Sequence, residues 1–119
     1  MDEETQQLYE QANQARLSGD YEKAQPLLED AVRACPDAAV CWWALGHVLL
    51  NTGDFDRAIA RMEKATELEP ENQRYWLDLA KSLEMLGEYE RARPALEKIL
   101  EIDGSTREAG EARKSLAYY

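Results

Sequence analysis

The sequence predicts an all-α protein assembled from tandem helix-turn-helix repeats, and three observations lead there. One pattern returns in register, without gaps, three times along most of the 119-residue chain. Within each copy the apolar and small residues fall three and four apart, the spacing of a helical face. Glycine (6) and proline (4) are scarce, 32% of the residues are charged and 45% are hydrophobic. That composition suits one modest helical domain and is too apolar for a disordered acidic tail.

The three copies are 5–38, 39–72 and 73–106, equal in length and together 5–106. The strings SGDYEKA (18–24), TGDFDRA (52–58) and LGEYERA (86–92) mark the same place in each. In the middle copy Trp42, Leu45, Gly46 and Leu49 form the core stripe of a first helix. Gly19, Gly53 and Gly87 suit a left-handed turn, and Asp20, Asp54 and Glu88 follow as candidate caps. The second helix then buries Phe55, Ala58, Met62, Ala65 and Thr66. Small residues at two facing positions, Ala12, Gly46 and Ala80 on first helices and Ala24, Ala58 and Ala92 on second helices, let paired axes approach closely. Pro36 and Pro70 end their helices before the next copy begins, while Pro26 and Pro94 sit inside second helices and remove one backbone bond each.

This recurring pattern of Trp, Leu, Gly, Tyr, Ala, aromatic and Pro resembles the tetratricopeptide repeat family in both residue types and period. The resemblance implies a right-handed α-solenoid whose first helices line a concave groove. It departs from the family at Leu8 and Gln11, where Trp and Leu are usual, and at Gly104, where the closing proline is missing. Beyond 106, Ser105 to Glu108 reads as a capping box opening another helix over 106–118. Two accounts fit residues 107–119: a helix that caps the apolar end of the third repeat, or the start of a fourth repeat shifted by three residues. The polar residues Arg113 and Lys114 favour the cap.

Charge and motifs exclude several functions. A net charge of −10 disfavours nucleic acid and anionic membrane surfaces, which both need lysine- and arginine-rich faces. The acidic start lacks the features of a signal peptide and no apolar run nears the ~18 residues of a membrane span, so the cytoplasm is the expected compartment. Cys35 and Cys41 read as two free thiols rather than a local disulfide. His47, the one histidine, shares no helix face with Cys41, and the cysteines lack zinc spacing. No phosphate loop or serine elbow occurs. Carboxylates such as Glu63 with Glu67 and Glu97 with Glu101 read as solvated faces. No cofactor, no metal and no enzymatic activity are expected.

A binding surface is the expectation instead. At about 100° per residue, the first-helix stripe opposite the core holds Tyr9, Asn13, Arg16, Val40, Trp43, His47, Leu50, Arg74, Leu77 and Lys81. Gln6, Leu17, Asn51, Glu84 and Met85 share that stripe, so it carries three cations and one acid in an otherwise acidic chain. By the resemblance this stripe is the peptide-binding groove. Trp42 and Trp76 belong to the core on this reading, whereas Trp43 faces a ligand. The family's carboxylate clamp for chaperone C-termini is not reproduced: its positions hold Tyr9, Asn13, Ala44, Arg74 and Asp78, and only Asn13 and the charge of Arg74 agree. The leading expectation is a non-enzymatic adaptor that binds a partner peptide or helix. The alternatives are a chaperone for a secreted substrate and a homo-oligomer in which the last helix docks in a neighbour's groove.

Overall fold

A computed structural model of the chain describes all 119 residues and contains seven α-helices and no strand. They are α1 (Glu3–Leu17), α2 (Tyr21–Ala34), α3 (Ala39–Thr52), α4 (Phe55–Leu68), α5 (Gln73–Met85), α6 (Tyr89–Ile102) and α7 (Arg107–Leu116). The chain divides into two compact units, Met1–Leu68 and Glu69–Tyr119. In the first, α1 packs on α2, α2 on α3 and α3 on α4, with α1 also touching α3; in the second, α5 packs on α6 and α7 on both.

Each hairpin closes where the sequence places its glycine. Gly19, Gly53 and Gly87 have φ of 81°, 88° and 78°, the left-handed region in which a side chain is strained. Of the expected caps, the Asp20 carboxylate accepts from the Lys23 amide at 3.2 Å. The Asp54 carboxylate accepts from the Arg57 guanidinium at 3.1 Å, and Glu88, one methylene longer than an aspartate, makes no capping bond. Asp2 and Asn72 supply caps that the repeat pattern does not mark. The last helix starts one residue later than a Ser105 box would require: Thr106 Oγ1 accepts from the Ala109 amide, while Ser105 is held by the Asp103 carboxylate.

Packing follows the small residues. Ala12, Ala24, Ala58, Ala80 and Ala92 have no exposed surface. Gly46 is the tightest point: a Cβ there would lie 2.7 Å from Met62 Cγ and 3.2 Å from the Ala58 carbonyl. Leu28, Leu45 and Leu49 fill the first unit and Leu96 and Ile99 the second. Full burial of each stabilises by about 1.5–3 kcal/mol before ordering costs. α3 is enclosed more fully than its own hairpin requires, because Cys41, Ala44 and Val48 are buried beside Leu45 and Leu49. That leaves Val40, Trp43, His47 and Leu50 as its only half-buried apolar and aromatic strip besides Trp42.

Three core assignments need correction. Phe55 is 43% exposed because it is the first residue of α4, at the edge of the turn that closes its hairpin. Trp42 and Trp76 are half-buried rather than core. The physical reason is polar: the Trp42 indole Nε1 donates to the Pro36 carbonyl at 2.7 Å, and Trp76 Nε1 donates to the Pro70 carbonyl at 2.8 Å. Each ring therefore lies along the connection that leads into its helix, where its edge satisfies a carbonyl left open by the preceding turn. At the third such place both residues are glycine, Gly104 and Gly110, and the Arg113 guanidinium donates to the Gly104 carbonyl instead.

Candidate partner-binding face

The first unit brings seven of the ten predicted groove residues onto two neighbouring helices. On α1, Tyr9, Asn13 and Arg16 recur at four and three residues, so they share one stripe, and all are half-buried. On α3, Val40, Trp43, His47 and Leu50 do the same. Tyr9, Val40, Trp43 and Leu50 all pack against the unit's core from outside. The centre of the face is a stack: the Arg16 guanidinium carbon lies 5.1 Å from the Trp43 ring centroid, and the His47 ring meets Trp43 edge-on at 4.7 Å and 65°. Asn13 Oδ1 accepts from Arg16 Nη2 at 2.6 Å, which fixes the guanidinium plane over the ring. Arg16 Nε is buried without a hydrogen-bond partner. Burial raises the Tyr9 phenol above its ordinary pKa, partly opposed by the Arg16 charge.

Such an arrangement is suited to recognising a ligand. An arginine stacked on tryptophan is attracted by the ring's negative face and offers its outer edge to an acceptor. Trp43 and Tyr9 present broad, rigid area at small entropic cost. No cluster of three His, Cys, Asp or Glu side chains could hold a metal ion. The two cysteines are free thiols: Cys41 is fully buried, which pushes it up to about 11, and Cys35 donates to the Asp37 carboxylate, which raises it as well.

The remaining three predicted residues, in the second unit, behave differently. Leu77 is 5% exposed and belongs to the core with Ala80, Ala109 and Ala112, which corrects its assignment as a ligand anchor. A helical wheel sees only one hairpin, and α7 covers that side of α5. Lys81 is taken up by α7 too, in an ion pair with Glu111 at 2.9 Å, and this bond, with Arg107 nearby, lowers the Glu111 pKa. Arg74 stays exposed, but its Nε donates to both oxygens of Asp78, at 3.0 and 3.2 Å. Among these three, no cation is left unmatched for an acidic ligand. The repeat register marks Asp78 as a charge that repels a carboxylate; it does not mark Glu111 and Tyr119 as partners of α5. The one signal for Glu111 is its place, since Arg107 opens α7 one full repeat period after Gln73 opens α5.

Tyr119 closes this side of the second unit. Its hydroxyl donates to Glu84 at 2.9 Å, its ring meets Tyr89 edge-on at 6.0 Å, and the Arg93 guanidinium lies 5.4 Å from its centroid. Burial and the Glu84 bond push its phenol up to about 12. Beside it opens a cavity of about 620 Å³ lined by Glu84, Tyr89, Lys114, Ser115, Tyr118 and Tyr119. No helix of the chain is long and apolar enough to cross a membrane.

Hairpins closed by glycine turns, with alanine or glycine where the axes meet and a tryptophan at the entry of the second and third first helices, define a helical-repeat protein of the interaction class. The tetratricopeptide repeat model matches residues 9–50 and 44–106, and the chain belongs to that family. No curated protein sequence matches it significantly. Among solved structures it is similar to the tetratricopeptide domain of Arabidopsis OM64, with a TM-score of 0.84 and 21% identity over 98% of this chain and 96% of that one. It is similar also to the type III secretion translocator chaperone SycD of Yersinia enterocolitica, at 0.83 and 21%, covering 97% and 89%. A third is the first such domain of Spaghetti (RPAP3) bound to the HSP90 peptide SRMEEVD, at 0.82 and 22%, covering 97% and 95%. MamA from Desulfovibrio magneticus is longer: this chain spans 59% of it, with a TM-score of 0.81 and 24% identity. These likenesses establish the fold, and the family is one of protein-interaction modules.

Proposed function

We propose that the chain is a non-enzymatic, cytoplasmic adaptor that captures a peptide or helix of a partner protein on the face made by α1 and α3. The observation that carries this is the Arg16–Trp43–His47 stack, aligned with half-buried Tyr9 and Asn13. Tyr9, Val40, Trp43 and Leu50 would supply apolar contact, while Asn13, Arg16 and His47 orient the ligand through hydrogen bonds and charge. Arg74 and Lys81 stand at the margin of the expected set, since each must first exchange its own carboxylate for a ligand's. The same fold carries a bound peptide in RPAP3 and serves as a translocator chaperone in SycD, which supports a polypeptide as the ligand. The positions of the carboxylate clamp, with Ala44 buried and Arg74 held by Asp78, speak against a chaperone C-terminus as that ligand.

Affinity capture from the native lysate tests this, with wild type, Trp43→Ala and Tyr89→Ala compared. A partner retained by wild type and Tyr89→Ala and lost with Trp43→Ala supports the reading. Equal capture by all three, or a loss that tracks a large fall in melting temperature, refutes it. A second copy of the chain as the captured species would instead favour self-assembly.

A further inference from the structure

Trp42 and Trp43 are adjacent on α3, about 100° apart around its axis, and each carries an arginine on its ring. Over Trp42 it is Arg61 of α4, with its guanidinium carbon 5.6 Å from the centroid. These two side chains, with Glu29, Val32, Arg33 and Leu45, line a cavity of about 270 Å³ within the first unit. We infer that this cavity is a second, separate recognition site, which takes one apolar side chain of a partner protein together with an adjacent carboxylate.

Size, lining and charge argue for that ligand. Small-molecule pockets run from roughly 300 to 1,000 Å³, so this one is scaled to a single large side chain. Val32, Leu45 and the Trp42 face form its apolar part. Trp42 cannot swing to fill it, because its indole is tied to the Pro36 carbonyl. The polar part is cationic. Glu29, the one acid in the lining, is already held by Arg57 at 2.7 Å, and Arg33 pairs only with Asp30, at 3.3 Å, where both side chains are more than half exposed. Arg61 rests on an aromatic ring rather than on a carboxylate, and its Nε is buried with no hydrogen-bond partner. A carboxylate reaching the outer edge of Arg61 would gain a charge-assisted pair in a partly desolvated setting, where such bonds are strongest. In a chain of net charge −10, an acidic segment would approach this spot only if the local charge is positive; Glu29 is neutralised by Arg57 and Arg33 by Asp30, which leaves Arg61 as the charge not matched by a carboxylate.

The probe is 3-phenylpropionate, a carboxylate next to an apolar ring, titrated into the intact ¹⁵N-labelled protein while the indole and arginine Nε–H signals are followed. 3-Phenylpropionamide and inorganic phosphate are run beside it. Saturable shifts at Trp42 and Arg61 are expected with phenylpropionate, at least about tenfold weaker with the amide. The Trp42 shift should weaken similarly in Arg61→Gln, and both shifts should persist unchanged in Trp43→Ala, so failure of the α1–α3 face and failure of this site are told apart. Shifts centred on Trp43, an amide as effective as the acid, phosphate as effective as phenylpropionate, or no shift at Trp42 would each overturn the inference. Shifts at Trp42 and Arg61 on raising protein concentration alone would assign the cavity to a second copy and overturn it as well.

Discussion

Gly46→Ala places a methyl group where the paired axes of α3 and α4 come closest. Alanine in place of a mid-helix glycine normally stabilises by about 1 kcal/mol. Here the new carbon would sit 2.7 Å from Met62 Cγ and 3.2 Å from the Ala58 carbonyl, well inside the ~3.5–4.0 Å at which carbon contacts are favourable. Met62 is 1% exposed, the near atom is its inner Cγ rather than the far end of the side chain, and the carbonyl is backbone. Overpacking of this kind costs about 1–3 kcal/mol, so the net expectation is a loss of up to about 2 kcal/mol. For a chain of this size that lowers the melting temperature by roughly 3–6 °C per kcal/mol. Thermal and urea unfolding of Gly46→Ala, Met62→Ala and the double variant form a cycle. In the Met62→Ala background the penalty should fall by about 1 kcal/mol or more, since the nearest clash is gone. A stabilised Gly46→Ala, or two penalties that simply add, would refute the close-approach account.

Other consequences follow from bonds that span elements. Arg113→Ala should destabilise the second unit by under about 1 kcal/mol, because the Gly104 carbonyl is open enough to take water in place of the guanidinium, and Arg113→Lys should recover part of that in urea unfolding. Because burial raises the Cys41 thiol to about 11, the folded state keeps a proton that the unfolded state loses near pH 9; stability should therefore fall as pH rises from about 9 to 11 and be flat from about 7 to 8. Replacing Cys41 with alanine should flatten that slope in denaturation curves taken pH by pH, and replacing Cys35 should change it less. Glu111→Gln should release Lys81, read by NMR as faster proton exchange at its ammonium group, with a stability change under about 1 kcal/mol because both groups are partly exposed.

What the sequence revealed and what it hid divide along a physical line. The glycine turns, the alanine contacts and the helix spans are local or periodic properties, and the repeat in SGDYEKA, TGDFDRA and LGEYERA displays them directly. The Tyr9–Arg16–Trp43–His47 neighbourhood is legible as well, because its members sit at fixed offsets in two successive first helices. Leu77 and Lys81 escape such reading because their surroundings are set by α7, whose pattern has departed from the repeat. Trp42 escapes it for another reason: hydrophobic periodicity ranks tryptophan by area alone and does not register that its one N–H must find an acceptor. The shift of the cap from Ser105 to Thr106 turns on which of two adjacent hydroxyls the Asp103 carboxylate claims.

The bonds from Trp42 and Trp76 to the carbonyls six residues earlier also act as a ruler. Pro36 with Trp42, and Pro70 with Trp76, each close a ring of backbone whose circumference is set by a hydrogen bond of 2.7 or 2.8 Å. A residue inserted or deleted inside that ring breaks the bond, whereas a substitution that spares the indole and the carbonyl leaves it intact. The connection between hairpins is thereby locked in length while free in composition. The constant period of the chain is then partly the arithmetic of this clasp, counted once per turn of the repeat, and the glycines at 104 and 110 mark where an arginine has taken over the count.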